Sequence, residues 1–474
     1  MSAKSLFHLK ILRTFWVLLA FVASACTRVA DQDEPDAGPK LLDIAGDAPD
    51  VYYIDIQFPD VPKKEIASAD IGSEITADVV EQCGNLIDDN GDGRVDEGCW
   101  PAPNLRPDQA WRDFGVLKLQ AKTGPVATVT FDAPTKNMGI SLLARDIDQE
   151  KLYVWAESII SPASVEVLAA DGWATSFNRS APSIGGGTAL IGMSPQVTLA
   201  AGPWNFSFTR SKLAPLNYGG TPTAGYLHVG VVSRAEIPLA DPVTIDIDVY
   251  LVGGTAMPAA TIAASPQWQA IVKKVESIWS GAGLHLGKIQ FIDLDGDDGK
   301  KFKFLDNVLA GGFENELTQI YKVTGAMRPQ STAATLLLVG ALNDNGQQVA
   351  AGLSQLAGIS GYIGSRMSGM AVAIDDKEWA KVVALGPDGA SIAGDRWGVT
   401  LAHELGHFMG LWHTDEYDGK LHDPIADTPI CDKTGTLTAE GCPAQAKYLM
   451  FWSPQGSIVT PDQAATVRHS TNLR

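Results

Sequence analysis

The stretch His403-Glu404-Leu-Gly-His407-Phe-Met-Gly410-Leu-Trp-His413 leaves this chain less freedom than any other part of its sequence, since it gathers three of the eight histidines. If the first half is helical, positions 403 and 407 project from one face a turn apart, so both imidazoles reach one ion. Gly410 suits the left-handed residue on which helices commonly end. The reversal that follows returns His413 as a third ligand and leaves a fourth position for water. Neutral imidazole suits Zn²⁺, which prefers tetrahedral nitrogen or sulfur ligation. Glu404 is not needed as a ligand; beside His403 it faces the open position and takes a proton from water there. Surface helices produce a bare His-Glu-x-x-His by chance, but the added glycine and third histidine make this pattern far more restrictive.

The rest of the chain sets the context. Its 474 residues allow two or three domains, and 45% hydrophobic content with 12 Trp implies a substantial core. A formal charge of −19 argues against nucleic acid, which wants a basic face. Residues 1–25 read as an export signal: Lys4, Lys10 and Arg13 precede an apolar run, Phe15 to Val22, too short to span a bilayer. Ala23-Ser24-Ala25-Cys26 resembles the lipobox of bacterial lipoproteins, with Ala23 where Leu is usual. That resemblance implies a lipidated Cys26, attachment to the membrane through the lipid alone, and a place in the bacterial cell envelope, on the outer membrane or cell surface. Ordinary cleavage after Ala25 is the alternative.

Four cysteines remain, in two close pairs, Cys83 with Cys99 and Cys431 with Cys442, as an oxidising compartment favours. Residues 26–82, rich in Asp, Pro and Ala, read as a disordered acidic tether. In residues 83–103, Asp88, Asn90, Asp92 and Asp96, with Gly93 at the turn, follow the oxygen spacing of a calcium loop. Cys99 occupies the position of an EF-hand's bidentate Glu, so the segment is either a Ca²⁺ loop of another kind or a solvated, disulfide-closed linker. A thiolate from Cys83 capping the metal is a further option if that pair stays reduced. Asp293, Asp295 and Asp297 read as an exposed turn.

Residues 104–240 show short alternating apolar runs, such as Val126 to Phe131 and Trp204 to Phe208, split by Gly-rich turns: an all-β, sandwich-like accessory or pro-domain. His228, inside Tyr226 to Val229, reads as a structural histidine. From 241 strands alternate with helices. Val243–Val252, Ile289–Ile292, Thr335–Val339, Gly358–Ile363 and Met370–Ile374 read as strands and Gln267–Trp279 as an amphipathic helix. His422 is assigned to the surface, and Asp415 and Glu416 to a solvated turn.

The extended histidine motif is that of the metzincin zinc peptidases. Ser360–Ile363 and Gly369–Ile374 upstream, then Asp423-Pro-Ile-Ala-Asp427-Thr-Pro429, Tyr448-Leu-Met450 and Thr460-Pro-Asp-Gln463 downstream, make residues 355–465 resemble the pappalysin family. The resemblance implies an α+β fold: a twisted mixed sheet with a backing helix and an active-site helix, over 241–474. It makes His403, His407 and His413 the zinc ligands, Glu404 the general base and acid, and Met450 the methionine of the turn beneath the metal. It places Asp427 near a structural calcium and the Cys431–Cys442 staple between the third histidine and Met450. A protein or peptide substrate would lie along Gly358–Ile363, cut by Glu-assisted attack of zinc-bound water. One residue departs from the pattern: relatives often carry Tyr two residues after the methionine, and this chain carries Trp452. The alternative reading, a non-catalytic adhesion lipoprotein with calcium loops, draws on that departure, while an intact Glu404 opposes it.

Overall fold

The computed structural model describes residues 82–474 apart from 85, 88, 90–94, 97–98, 101, 120–126, 137, 148–151, 170–175, 213–221, 239–240, 254–256, 310–314, 363 and 434. Cys26, Asp88, Asn90, Asp92, the export signal and nearly all of the tether lie outside the described residues. Among the described residues no helix is long and apolar enough to cross a membrane.

Residues 109–234 form two antiparallel sheets. One orders its strands Gln109–Leu119, Gly225–Arg234, Gly139–Asp146, Gly186–Leu190; the other runs Ala127–Ala133, Gly202–Ser211, Tyr153–Ile160, Glu166–Leu168, with Ser183–Ile184 added to Tyr153–Ile160. The alternation read in Trp204 to Phe208 turns Trp204, Phe206 and Phe208 into one core with Phe131, Val154, Leu142 and Val229, drawn from both sheets. His228 sits in the strand Gly225–Arg234 with Nε2 2.7 Å from Asp113 Oδ1, buried and partnered as its place in an apolar run requires. Cys83 and Cys99 are joined, so no thiol remains there to cap a metal. Asp96, 2% exposed, accepts the amides of Gly84 at 2.8 Å and Leu86 at 3.2 Å, which makes it a brace for the loop.

The second half is built on a mixed sheet ordered Leu284–Leu294, Val243–Val252, Ala334–Val339, Gly369–Ala373, Gly352–Ser354, parallel except for the last strand. Both faces are covered, which explains the near-continuous apolar runs of its central strands. Ile245, Ile247, Val249, Leu336 and Leu338 share a core with the backing helix and with the helix that carries His403 and His407, while Tyr250, Val252, Leu337 and Val339 face a second core. The backing helix, Pro266–Trp279, starts on Ser265, whose side chain accepts the Trp268 amide, and buries Trp268, Ile271, Val275, Ile278 and Trp279. Trp279 then reaches the next layer, its Nε1 donating to Ala402 O at 3.2 Å in the helix Val399–Phe408.

One expected strand is absent. Gly358–Tyr362, read as a strand with residue 363, is a loop, and the sheet ends instead on Gly352–Ser354. Gly361 has φ +77°, and a Cβ there would lie 2.3 Å from Asn104 O, so the chain turns where a strand would continue. Its polar groups pair elsewhere: Ile359 N donates to Met367 O and Ser360 N to Asn472 Oδ1. The C-terminal residues stitch the halves together. Arg106 donates to the carbonyls of Thr471, Asn472 and Leu473, Arg234 to those of Arg468 and Ser470, and Asn472 to Gly358 O and Phe408 O.

Candidate metal centre

The helix Val399–Phe408 is buried along its whole length, and Gly410 ends it. Gly410 takes φ +104°, its amide returns to His407 O at 2.8 Å, and the Leu411 amide returns to Gly406 O at 2.9 Å. This double closure satisfies the last helical carbonyls and reverses the chain. The reversal carries His413 back over the helix.

The three expected ligands meet. His413 Nε2 lies 3.2 Å from His403 Nε2 and 3.0 Å from His407 Nε2. Each ring's other nitrogen has an acceptor: His403 Nδ1 donates to Leu449 O at 2.6 Å, His407 Nδ1 to Leu411 O at 2.7 Å, and His413 Nδ1 to Glu416 Oε2 at 2.9 Å. With the proton on Nδ1, all three Nε2 atoms present lone pairs to one point, an arrangement that repels itself unless a cation sits between them. Burial pushes His403 down to about 3 and His407 well below its usual value, with the neighbouring imidazoles adding to the effect. Both rings are therefore held in the neutral, metal-binding form. The donor set fits a zinc ion.

Glu404 is fully buried on the same helix and packs against the edge strand, since a Cβ on Gly352 would come within 2.5 Å of its Oε1. Met450, fully buried, packs against this helix at Gly406, in a turn whose carbonyls hold two of the histidine-bearing segments: Leu449 O accepts His403 Nδ1 and Met450 O accepts the Thr414 amide at 2.8 Å. Its sulfur is why position 406 is glycine, a Cβ there falling 2.5 Å from Met450 Sδ. Gly406→Ala is expected to lower stability by about 1–3 kcal/mol despite alanine's better helix propensity. Denaturant titration of Gly406→Ala in the unaltered protein and in a Met450→Ala background should show the loss relieved in the second.

Cys431 and Cys442 are joined and pack with Leu437, Phe451 and Trp452. Replacing both by Ser is expected to cost about 3 kcal/mol, as thermal unfolding with and without reductant would show. Trp452 is 4% exposed, in edge contact with Tyr417 at 5.0 Å between centroids, and packs with this staple.

The ligand loop departs from the sequence reading at Asp415, Glu416 and His422. Glu416, placed in a solvated turn, orients His413. Asp415 is fully buried, its Oδ1 receiving both the Cys431 amide at 2.9 Å and His422 Nδ1 at 2.7 Å, so His422 belongs to the wall of the ligand loop. Asp427 accepts the Asp462 amide at 3.0 Å, at the start of the helix Pro461–Val467, whose Thr460–Gln463 capping box is complete. The segment read as an exposed turn is instead a strand end and a helix start: Asp293, in the strand Leu284–Leu294, accepts the Ala259 amide, and Asp297, fully exposed, lies in the first turn of the helix Gly296–Phe302.

Residues 330–467 match the family model of the M12B reprolysin-like metallo-peptidases. That span contains the three histidines, Glu404 and Met450, so the second half carries a metallopeptidase domain. No curated protein matches the chain. Among solved structures, metalloproteinase-II from Bacteroides fragilis shares 14% identity at a TM-score of 0.27, over 51% of this chain and 62% of that one, a likeness too slight to argue from. This chain thus spans less than two thirds of that protein's length.

Proposed function

We propose that the protein is an exported, lipid-anchored zinc endopeptidase of the metzincin plan, with a pappalysin-like ligand loop and an N-terminal β-sandwich. The observation that carries this reading is the convergence of three Nε2 atoms whose Nδ1 partners leave them no proton to share. Zinc at that point supplies Lewis acidity, bringing water's pKa from about 15.7 to roughly 7 and polarising a carbonyl. Glu404, beside His403 and against the edge strand, accepts a proton from water and delivers it to the leaving amine. An extended peptide adds to Gly352–Ser354, the terminal strand of the sheet, pairing backbone to backbone. That strand replaces Gly358–Ile363 as the substrate edge. Trp452, buried against the staple, offers no phenol to a developing oxyanion.

Cleavage of a mixed peptide library, with and without chelator and with zinc restored, tests the reading. Loss on chelation and recovery on zinc support it. Bound zinc with no cleavage would favour the alternative, a binding lipoprotein.

A further inference from the structure

We propose that Arg179, carried by the β-rich segment, is a positioning residue of the metal centre: it clamps Trp412, the residue before His413, and its charge steadies the Glu416 carboxylate that holds the ring of His413. The inference rests on the metallopeptidase reading and deepens it, since it makes the two halves of the chain one functional unit.

Arg179 lies between two anchored neighbours. Asn178, fully buried, accepts the amides of Gly192 at 2.9 Å and Met193 at 3.2 Å, and donates to Leu190 O at 3.0 Å. Ser180, also fully buried, accepts the Ala156 amide at 2.9 Å. The backbone on both sides is therefore pinned, and the guanidinium is delivered to one place. There it is 3% exposed, its central carbon 5.4 Å from the centroid of Trp412, the residue before His413. A buried guanidinium needs carboxylates. Burial pushes Arg179 down to about 10, and the charges of Asp423 and then Glu416 pull it back. Glu416 is the one that touches a ligand, at 2.9 Å from His413 Nδ1. Contacts around this point reinforce the join: Leu190 packs where a Cβ on Gly410 would sit, Thr188 Oγ1 donates to Leu356 O at 2.8 Å, and Trp412, Leu356 and Ala357 lie in the β segment's own core. A role confined to packing predicts lower stability with an unchanged metal environment. A positioning role predicts a changed one.

The test uses the full chain. Zinc affinity is measured by competition with a chromophoric chelator, and the visible spectrum of the Co²⁺-loaded protein reports ligand geometry. Arg179→Met is expected to weaken zinc binding roughly 10–100-fold, the usual cost of losing an outer partner of a ligand, and to shift the Co²⁺ bands. Glu416→Gln should do the same, and the double variant should be no worse than Glu416→Gln alone. Equal affinity and an identical spectrum in Arg179→Met, or additive losses in the pair, would overturn the proposal while leaving the metal reading intact. If Arg179→Met does not fold, Arg179→Lys decides: charge kept but planar fork lost, a shifted spectrum supports positioning and an unchanged one overturns it. An unaltered protein that binds no zinc would overturn the metal reading, and this inference with it.

Discussion

Glu404→Gln is expected to lower kcat/KM for peptide cleavage by about 10²–10⁴-fold, the usual contribution of a positioned general base. The amide keeps the size of the carboxylate, so the close packing against Gly352 survives. What it removes is the ability to take a proton from water and pass it on. The metal content of the variant should equal that of the unaltered protein, because Glu404 is not among the converging groups. Atomic emission on the purified variant, alongside cleavage rates, separates the two effects. Undiminished cleavage by this variant would sink the proposed proton route.

The second large effect belongs to His413. Changing it to Ala removes the Nε2 atom that stands 3.2 and 3.0 Å from those of the other two ligands. It also leaves Glu416 without the ring it holds. Zinc affinity should fall by more than the roughly 10–100-fold that loss of an outer partner costs, and cleavage at limiting zinc should disappear. His422→Ala is the natural control. His422 bonds Asp415, and the converging set does not include it, so stoichiometric zinc should remain.

These sites differ in how plainly the sequence declared them. His403, His407 and Gly410 were legible because helix geometry and a left-handed terminus are local properties, set within one turn. The strands Val243–Val252 and Ala334–Val339 were legible because both their faces are buried, so their apolar runs are unbroken. Gly358–Ile363 misled because its apolar residues resemble a strand while its backbone groups bond to Met367 and to Asn472 near the chain's end. No short-range pattern reveals partners so remote. Glu416 hid for a related reason. Its carboxylate turns inward only because the chain reverses there, with Glu416 N donating to Leu421 O at 2.9 Å and the Gly419 amide returning to Glu416 O. Arg179 was invisible for the strongest reason of all, since it comes from another sheet system more than two hundred positions away. The one signal available was weak: Asp415 and Glu416 follow His413 directly, and acidic residues beside a metal-binding histidine are candidates for its outer hydrogen bond.

The most direct measurement is anomalous diffraction at the zinc edge from crystals grown with zinc. The account predicts one peak inside the triangle of the His403, His407 and His413 Nε2 atoms, about 2.0–2.1 Å from each, with the Glu416 carboxylate still on His413 Nδ1. A peak anywhere else, or a His413 ring turned away from the other two, would contradict it.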